Sequence, residues 1–184
     1  MTALTPANQL TLLRMLLIPA FAILVIYGYI GIALLVFVTA GVTDALDGLI
    51  ARRSGQKTTL GAWLDPMADK LLLATMFVVL TLPLPHLTNR LPLWLTVLVI
   101  SRDVGIVATV AIVNLAVGRR TFTPSVYGKI TTAVYIVTGV FTLLANWIGR
   151  HLMVVDLLIY GSLAMTLVSG LHYIAHATRF ASES

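Results

Sequence analysis

Apolar residues fall in six long runs, separated by short polar, glycine or proline breaks. The runs cover residues 10–27, 30–50, 60–82, 93–117, 126–145 and 152–175. Each is close to the about 18–25 residues that a helix needs to cross a hydrocarbon layer of about 30 Å. None alternates apolar and polar positions, so a transmembrane barrel is not indicated. The breaks suit helix ends. Gly28 to Gly31 predicts a tight turn, and Arg53-Ser54-Gly55-Gln56-Lys57 a polar loop. Pro83, Pro85 and Pro92 bound a segment that cannot continue a helix. Residues 118–124 and 146–151 supply the last two connections. The pattern predicts an all-α integral membrane protein with six transmembrane helices, forming a single domain over residues 1–184.

Composition agrees and narrows the class. Of 184 residues, 59% are hydrophobic and 10% charged, and the mean hydropathy is +0.98. Ordinary soluble domains carry about 25% charged residues. So few charges could not cover a water-soluble surface of this size, which excludes a soluble enzyme and a disordered chain. Cysteine is absent, which excludes a disulfide framework, a zinc–thiolate site and a thiol nucleophile. The net charge of +5 fits cationic loops beside anionic headgroups, and no nucleic-acid partner is expected.

The charges also predict orientation. Arg14, Arg52, Arg53, Lys57, Arg119, Arg120 and Arg179 fall on one side of a six-span layout, and Arg90 and Arg150 on the other. The positive-inside rule then puts both termini in the cytoplasm. Trp94 and Trp147 lie near the opposite face, where amphipathic rings gather. Residues 1–9 hold no basic residue and no small-residue cleavage site follows the first run, so a signal peptide is not expected there.

The acidic residues carry the chemistry. Four of the seven, Asp44, Asp47, Asp65 and Asp69, stand within 26 positions on two of the runs. A carboxylate in a span costs several kcal/mol, so it needs water, a cation or a partner. Asp44 and Asp47 are i, i+3, and Asp65 and Asp69 are i, i+4, so each pair shares a helix face. An antiparallel hairpin would bring both pairs to one depth near the cytoplasmic boundary. Four hard oxygen donors with no His or Cys nearby suit Mg²⁺, Mn²⁺ or Ca²⁺. Gly48, Ala51 and Gly61 leave space beside the pairs for close helix packing or a headgroup. Arg52, at the same mouth, can neutralise phosphate. A purely structural account would pair Asp47 with Arg52 or Arg53, and Asp69 with Lys70. It leaves the other carboxylates unexplained.

Written out, the stretch is Asp44-x2-Asp47-Gly48-x2-Ala51-Arg52-x8-Gly61-x3-Asp65-x3-Asp69. It resembles the signature of the CDP-alcohol phosphotransferase (CDP-alcohol phosphatidyltransferase) family at all eight defined residues and every spacing. Asn8-Gln9-Leu10-Thr11-Leu12-Leu13-Arg14 is similar to the start of bacterial members. The resemblance implies an enzyme of phospholipid biosynthesis in the cell inner (cytoplasmic) membrane, with its active site facing the cytoplasm. Such an enzyme moves a phosphatidyl group from CDP-diacylglycerol to an alcohol and releases CMP. It implies that Asp44, Asp47 and Asp65 hold Mg²⁺ or Mn²⁺, with Asp69 contributing to a second ion and acting as the base on the acceptor hydroxyl. Gly48, Ala51, Arg52 and Gly61 would line the CDP site. A homodimer is the family analogy.

Tyr127-Gly128-Lys129-Ile130-Thr131-Thr132 is similar to a segment of the family branches that make phosphatidylglycerophosphate and cardiolipin. This implies Lys129 as an acceptor-binding residue, with Arg102, Arg119 and Arg120 as further candidates. Glycerol 3-phosphate is the first acceptor implied, and phosphatidylglycerol the alternative. Arg102 and Asp103 also read as a buried local ion pair, and Arg119 and Arg120 as headgroup contacts. His172 and His176 read as interfacial side chains, Asp156 as a wetted helix end, and Tyr135, Tyr160 and Tyr173 as packing. Gly139, Gly161 and Gly170 suggest close helix contacts. A cation transporter is the competing class, but its carboxylates would spread toward the midplane. An intramembrane prenyltransferase uses Asp-rich motifs of different spacing.

Overall fold

The computed structural model describes the backbone of residues 6–54, 59–117 and 126–182, and side chains within 9–43, 67–109 and 126–173. Six helices follow the six apolar runs: α1 (Pro6–Ile26), α2 (Ile30–Ser54), α3 (Thr59–Thr81), α4 (Leu93–Val117), α5 (Val126–Ile148) and α6 (Met153–Ser182). Neighbour contacts close them into a ring in the order α1, α2, α5, α6, α4, α3, with α3 and α5 also touching across the middle.

The bundle has apolar residues outside and many of its polar ones inside. Leu16, Leu35, Val104, Met153, Tyr160 and Leu171 are exposed large hydrophobic side chains on helices of the bundle. Thr131, Thr138, Thr142, Ser162, Thr166 and Ser169 are buried. Water would penalise that arrangement, whereas hydrocarbon outside favours it. Among the described residues, Val126–Ile148 and Met153–Tyr173 are each long and apolar enough to cross a membrane by themselves.

Hydrogen bonds zip α5 to α6. Tyr135 shares a bond with Thr166 (2.6 Å) and Thr138 one with Ser162 (2.8 Å), while Thr131 Oγ1, which donates within α5 to the Tyr127 carbonyl (2.7 Å), also stands 3.2 Å from the Met165 carbonyl. Between α3 and α5, Phe77 meets Tyr135 edge-on at 5.2 Å, and Met76 lies on Gly139. A Cβ on Gly139 would stand 2.7 Å from Met76 Cε, so this glycine does serve close packing. At Gly161 and Gly170 an added Cβ meets nothing of this chain within 4 Å, so neither makes a close contact within the protomer.

The α1–α2 turn is shorter than the glycine spacing suggests. Gly28 alone takes a left-handed conformation (φ 83°), and Gly31 already belongs to α2, pressed on Trp147. Helix α5 runs past the expected end at 145, because Asn146 is buried and fully engaged rather than looping out. Its Oδ1 accepts from the Asn89 amide (2.7 Å), and its Nδ2 donates to the carbonyls of Asn89 (2.8 Å) and Thr142 (2.9 Å). Asn89 Nδ2 then donates to the Arg150 carbonyl at 2.7 Å, tying the α3–α4 connection to the α5–α6 connection.

Asn146→Leu keeps the volume of this side chain but strands a buried amide. It should lower unfolding stability by about 1–3 kcal/mol. Thermal unfolding in detergent micelles checks this.

Candidate active site

Asp69 stands ten residues into α3 and twelve from its end, and Arg14 stands twelve from the end of α1. The two helices touch at this level. Arg14 Nη1 lies 2.8 Å from Asp69 Oδ1. The pair is asymmetric: the Arg14 side chain is wholly buried, whereas the Asp69 side chain keeps 43% of its exposure. Asp69 opens onto a cavity of about 290 Å³ between α2, α3 and α5. Phe37, Gly41, Leu72, Thr132 and Ile136 share its wall, which is otherwise mostly apolar.

Lys70, next in sequence, turns the other way. Successive helix residues do not share a face, so Asp69 looks to α1 and the α2–α5 side while Lys70 looks to α4. Lys70 Nζ lies 3.3 Å from Asp103 Oδ2. The Asp69–Lys70 pairing that a local account predicts is therefore replaced by two interhelical pairs. Asp103 Oδ1 also accepts from Arg102 Nη1 at 2.6 Å, and Arg102 Nη2 donates to Ser169 Oγ on α6. Arg102 is nearly buried, with 10% of its side chain exposed. The expected local pair of Arg102 and Asp103 is present, and it extends to α3 and α6. Two cations share one carboxylate here, so this group carries a net positive charge inside the bundle.

Lys129 is exposed on the first turn of α5. It lies three residues before Thr132, on the same face of the helix. Thr132, Ile136 and Val140 continue that face down the cavity wall. Lys129 is thus placed one turn beyond the cavity, at the end of α5 nearest residue 126.

Asp44, Asp47, Gly48, Ala51 and Arg52 belong to the part of α2 that follows Gly41, and Gly61 and Asp65 to the part of α3 that precedes Asp69. Their side chains lie outside the described residues, as do Arg119, Arg120 and His176. The expected convergence of four carboxylates therefore also lies outside them, and among the described residues no three His, Cys, Asp or Glu side chains gather. His172 packs on the Tyr127 ring at 4.7 Å, and Asp156 Oδ2 lies 2.9 Å from His151 Nε2 at an exposed helix start. Arg14 is the site residue that loop-charge reasoning misses. The signal was available: it interrupts the run 10–27 with a charge, at the same cost that singles out the aspartates.

The fold and site define an all-helical bundle with two helices apolar enough to cross a membrane and a carboxylate on the wall of an otherwise mostly apolar cavity. The model of the CDP-alcohol phosphatidyltransferase family matches residues 4–168. A Mycobacterium tuberculosis protein named probable phosphatidylglycerophosphate synthase is 35% identical over 183 residues, covering 94% of this chain and 81% of that protein. Human cardiolipin synthase (CMP-forming) is 43% identical over 107 residues, covering 58% of this chain and 34% of that protein. A putative cardiolipin synthase of Mycobacterium tuberculosis is 38% identical over 109 residues, covering 58% of this chain and 49% of that protein. The chain belongs to the CDP-alcohol phosphatidyltransferase family. It is a phosphatidyltransferase of phospholipid biosynthesis.

The polar group on α3, α4 and α6 makes a stability prediction. Asp103→Asn leaves Arg102 and Lys70 without their shared anion and should cost about 1–3 kcal/mol. Lys70→Met should cost less than about 1 kcal/mol, because the Lys70 head is half exposed. Unfolding midpoints of the two variants in one detergent give the order.

Proposed function

We propose that this enzyme makes phosphatidylglycerophosphate, transferring a phosphatidyl group from CDP-diacylglycerol to glycerol 3-phosphate at the cytoplasmic side of a six-span bundle. The observation that carries the reading is Asp69 on the wall of an apolar cavity between α2, α3 and α5. A lipid substrate needs its chains in hydrocarbon and its reacting phosphate beside a charged group, and this wall offers both. The near full-length likeness to the phosphatidylglycerophosphate synthase supports the acceptor.

The donor set of the signature is all carboxylate in a chain without cysteine, so it fits hard divalent ions. Asp44, Asp47 and Asp65 would hold Mg²⁺ or Mn²⁺, with Asp69 contributing to a second ion. Ions held there would supply charge neutralisation for the diphosphate and for the departing CMP. The chain's own residues do the rest. Gly48, Ala51 and Gly61 leave room for the cytidine and diphosphate, and Arg52 pairs with phosphate. Asp69 accepts the proton of the acceptor hydroxyl as its oxygen attacks the β-phosphorus of CDP-diacylglycerol. Lys129, with Arg119, holds the acceptor phosphate; Arg102, also expected there, is instead committed to Asp103 and Ser169 on the α4–α6 side and does not line the Asp69 cavity. Both termini lie in the cytoplasm of a cell whose inner membrane houses the enzyme, and the working form is a homodimer.

A second reading, transfer to phosphatidylglycerol to give cardiolipin, is favoured by the higher identity to cardiolipin synthase over its shorter match. Purified protein with CDP-diacylglycerol, Mg²⁺ and one of glycerol 3-phosphate, phosphatidylglycerol, serine or inositol phosphate decides between them. CMP release with glycerol 3-phosphate alone is expected, and release with phosphatidylglycerol alone overturns the first reading. Asp44→Asn, Asp47→Asn and Asp65→Asn should each abolish turnover, as should chelation by EDTA, reversed by added Mg²⁺. Asp69→Asn should stop transfer while CDP-diacylglycerol still binds. Lys129→Ala should raise KM for glycerol 3-phosphate about tenfold or more, with little change in KM for the lipid.

A further inference from the structure

Arg14 has no part in the roles above, yet it is the largest wholly buried side chain among the described residues. Its guanidinium cannot shed its proton, so a permanent cation sits inside the bundle, 2.8 Å from the carboxylate assigned to the transfer step. We propose that Arg14 is a positioning residue for Asp69: it fixes one carboxylate oxygen and so sets the direction in which Asp69 presents itself to the cavity. The inference rests on the reading of Asp69 as the proton acceptor.

Three observations support it. First, the pair joins different helices at matched register, each partner twelve residues from its helix end. Second, the burial is one-sided. A pair that served only to hold α1 against α3 would gain from burying both partners, because half-exposed ion pairs contribute little. Here the cation is sealed and the anion is part-exposed on the wall of the α2–α3–α5 cavity. Third, Asp69 is an acidic residue with a short side chain. One oxygen held at hydrogen-bond distance leaves little freedom for the carboxylate plane, and reactions of held groups lose about 10²-fold for a displacement of about 1 Å.

Thr11 supports the same face. It lies three residues before Arg14, one turn away, and is also wholly buried. The face of α1 that meets the bundle at this level is therefore polar, where packing alone would select apolar residues.

The test compares Arg14→Gln and Arg14→Lys in full-length purified enzyme with Asp69→Asn beside them. Three quantities are read: kcat, the affinity for CDP-diacylglycerol by equilibrium binding, and the unfolding midpoint. Positioning predicts that Arg14→Gln lowers kcat about 10²-fold while lipid affinity stays within about threefold. Arg14→Lys, which keeps the charge but not the planar fork, should recover part of kcat and most of the midpoint. Near wild-type kcat in Arg14→Gln overturns the proposal. So does a fall in kcat matched by an equal fall in lipid affinity, which marks a scaffold role. If Arg14→Gln does not fold, Arg14→Lys decides alone: kcat lowered at unchanged lipid affinity supports positioning, and wild-type kcat overturns it. Asp69→Asn separates the two layers. Turnover in Asp69→Asn sinks the reading of Asp69 itself, whereas a dead Asp69→Asn beside an active Arg14→Gln sinks only the inference about Arg14.

Discussion

A charge that cannot be discarded, held where water cannot reach it, constrains the structure more tightly than any apolar contact. Arg14 is such a charge. It needs an anion on a neighbouring helix, and Asp69 supplies one. The pairing fixes the relative height of α1 and α3. Helix rotation of about 100° per residue then sets the direction of the next side chain. With Asp69 committed to α1, Lys70 must face α4, where it finds Asp103. Arg102 shares that carboxylate and reaches Ser169 on α6. One polar layer therefore threads α1, α3, α4 and α6, set by two adjacent positions on α3.

The opposite side of the ring is held differently. Between α5 and α6 the links are hydroxyl hydrogen bonds, repeated along one face at Thr131, Tyr135 and Thr138. In hydrocarbon there is no hydrophobic gain from pressing two apolar helices together, so short polar contacts and close packing hold them instead. The result is a stiff pair that closes the cavity on its third side. Helix α5 thus presents Thr132 and Ile136 to the cavity from a fixed frame, with Lys129 one turn beyond.

How much of this is legible in the sequence depends on the physical quantity that each signal measures. The six helices are legible because each follows one long apolar run, bounded by the glycine, proline and polar breaks that end it. Of the signature aspartates, Asp69 is legible as a costly charge in an apolar run that meets a partner, Arg14. Pairing is not. Asp69 and Lys70 are adjacent, and only the packing of α1 and α4 around α3 shows that each has a separate partner. Asn146 resembles a loop residue by composition. Its place in α5 depends on Asn89, 57 positions away, whose backbone it satisfies. Glycines are ambiguous for the same reason: Gly139 meets Met76, while Gly161 and Gly170 meet nothing. Local pattern gives the face of a helix but not the group that stands opposite it.

Arg14 is the instructive case, because a sound rule leads away from it. Counting basic residues by side treats each one as a loop charge, which holds for Arg90 or Arg150, exposed between helices. Arg14 lies inside α1 with the apolar run on both sides, and no snorkelling path is needed where a carboxylate is within 2.8 Å. A basic residue inside a span and an acidic residue inside another are each expensive alone and inexpensive together. The same arithmetic makes the pair informative about function. The buried guanidinium stands behind the Asp69 carboxylate and holds one of its oxygens from the α1 side, while the α2–α3–α5 cavity that Asp69 lines includes no atom of Arg14.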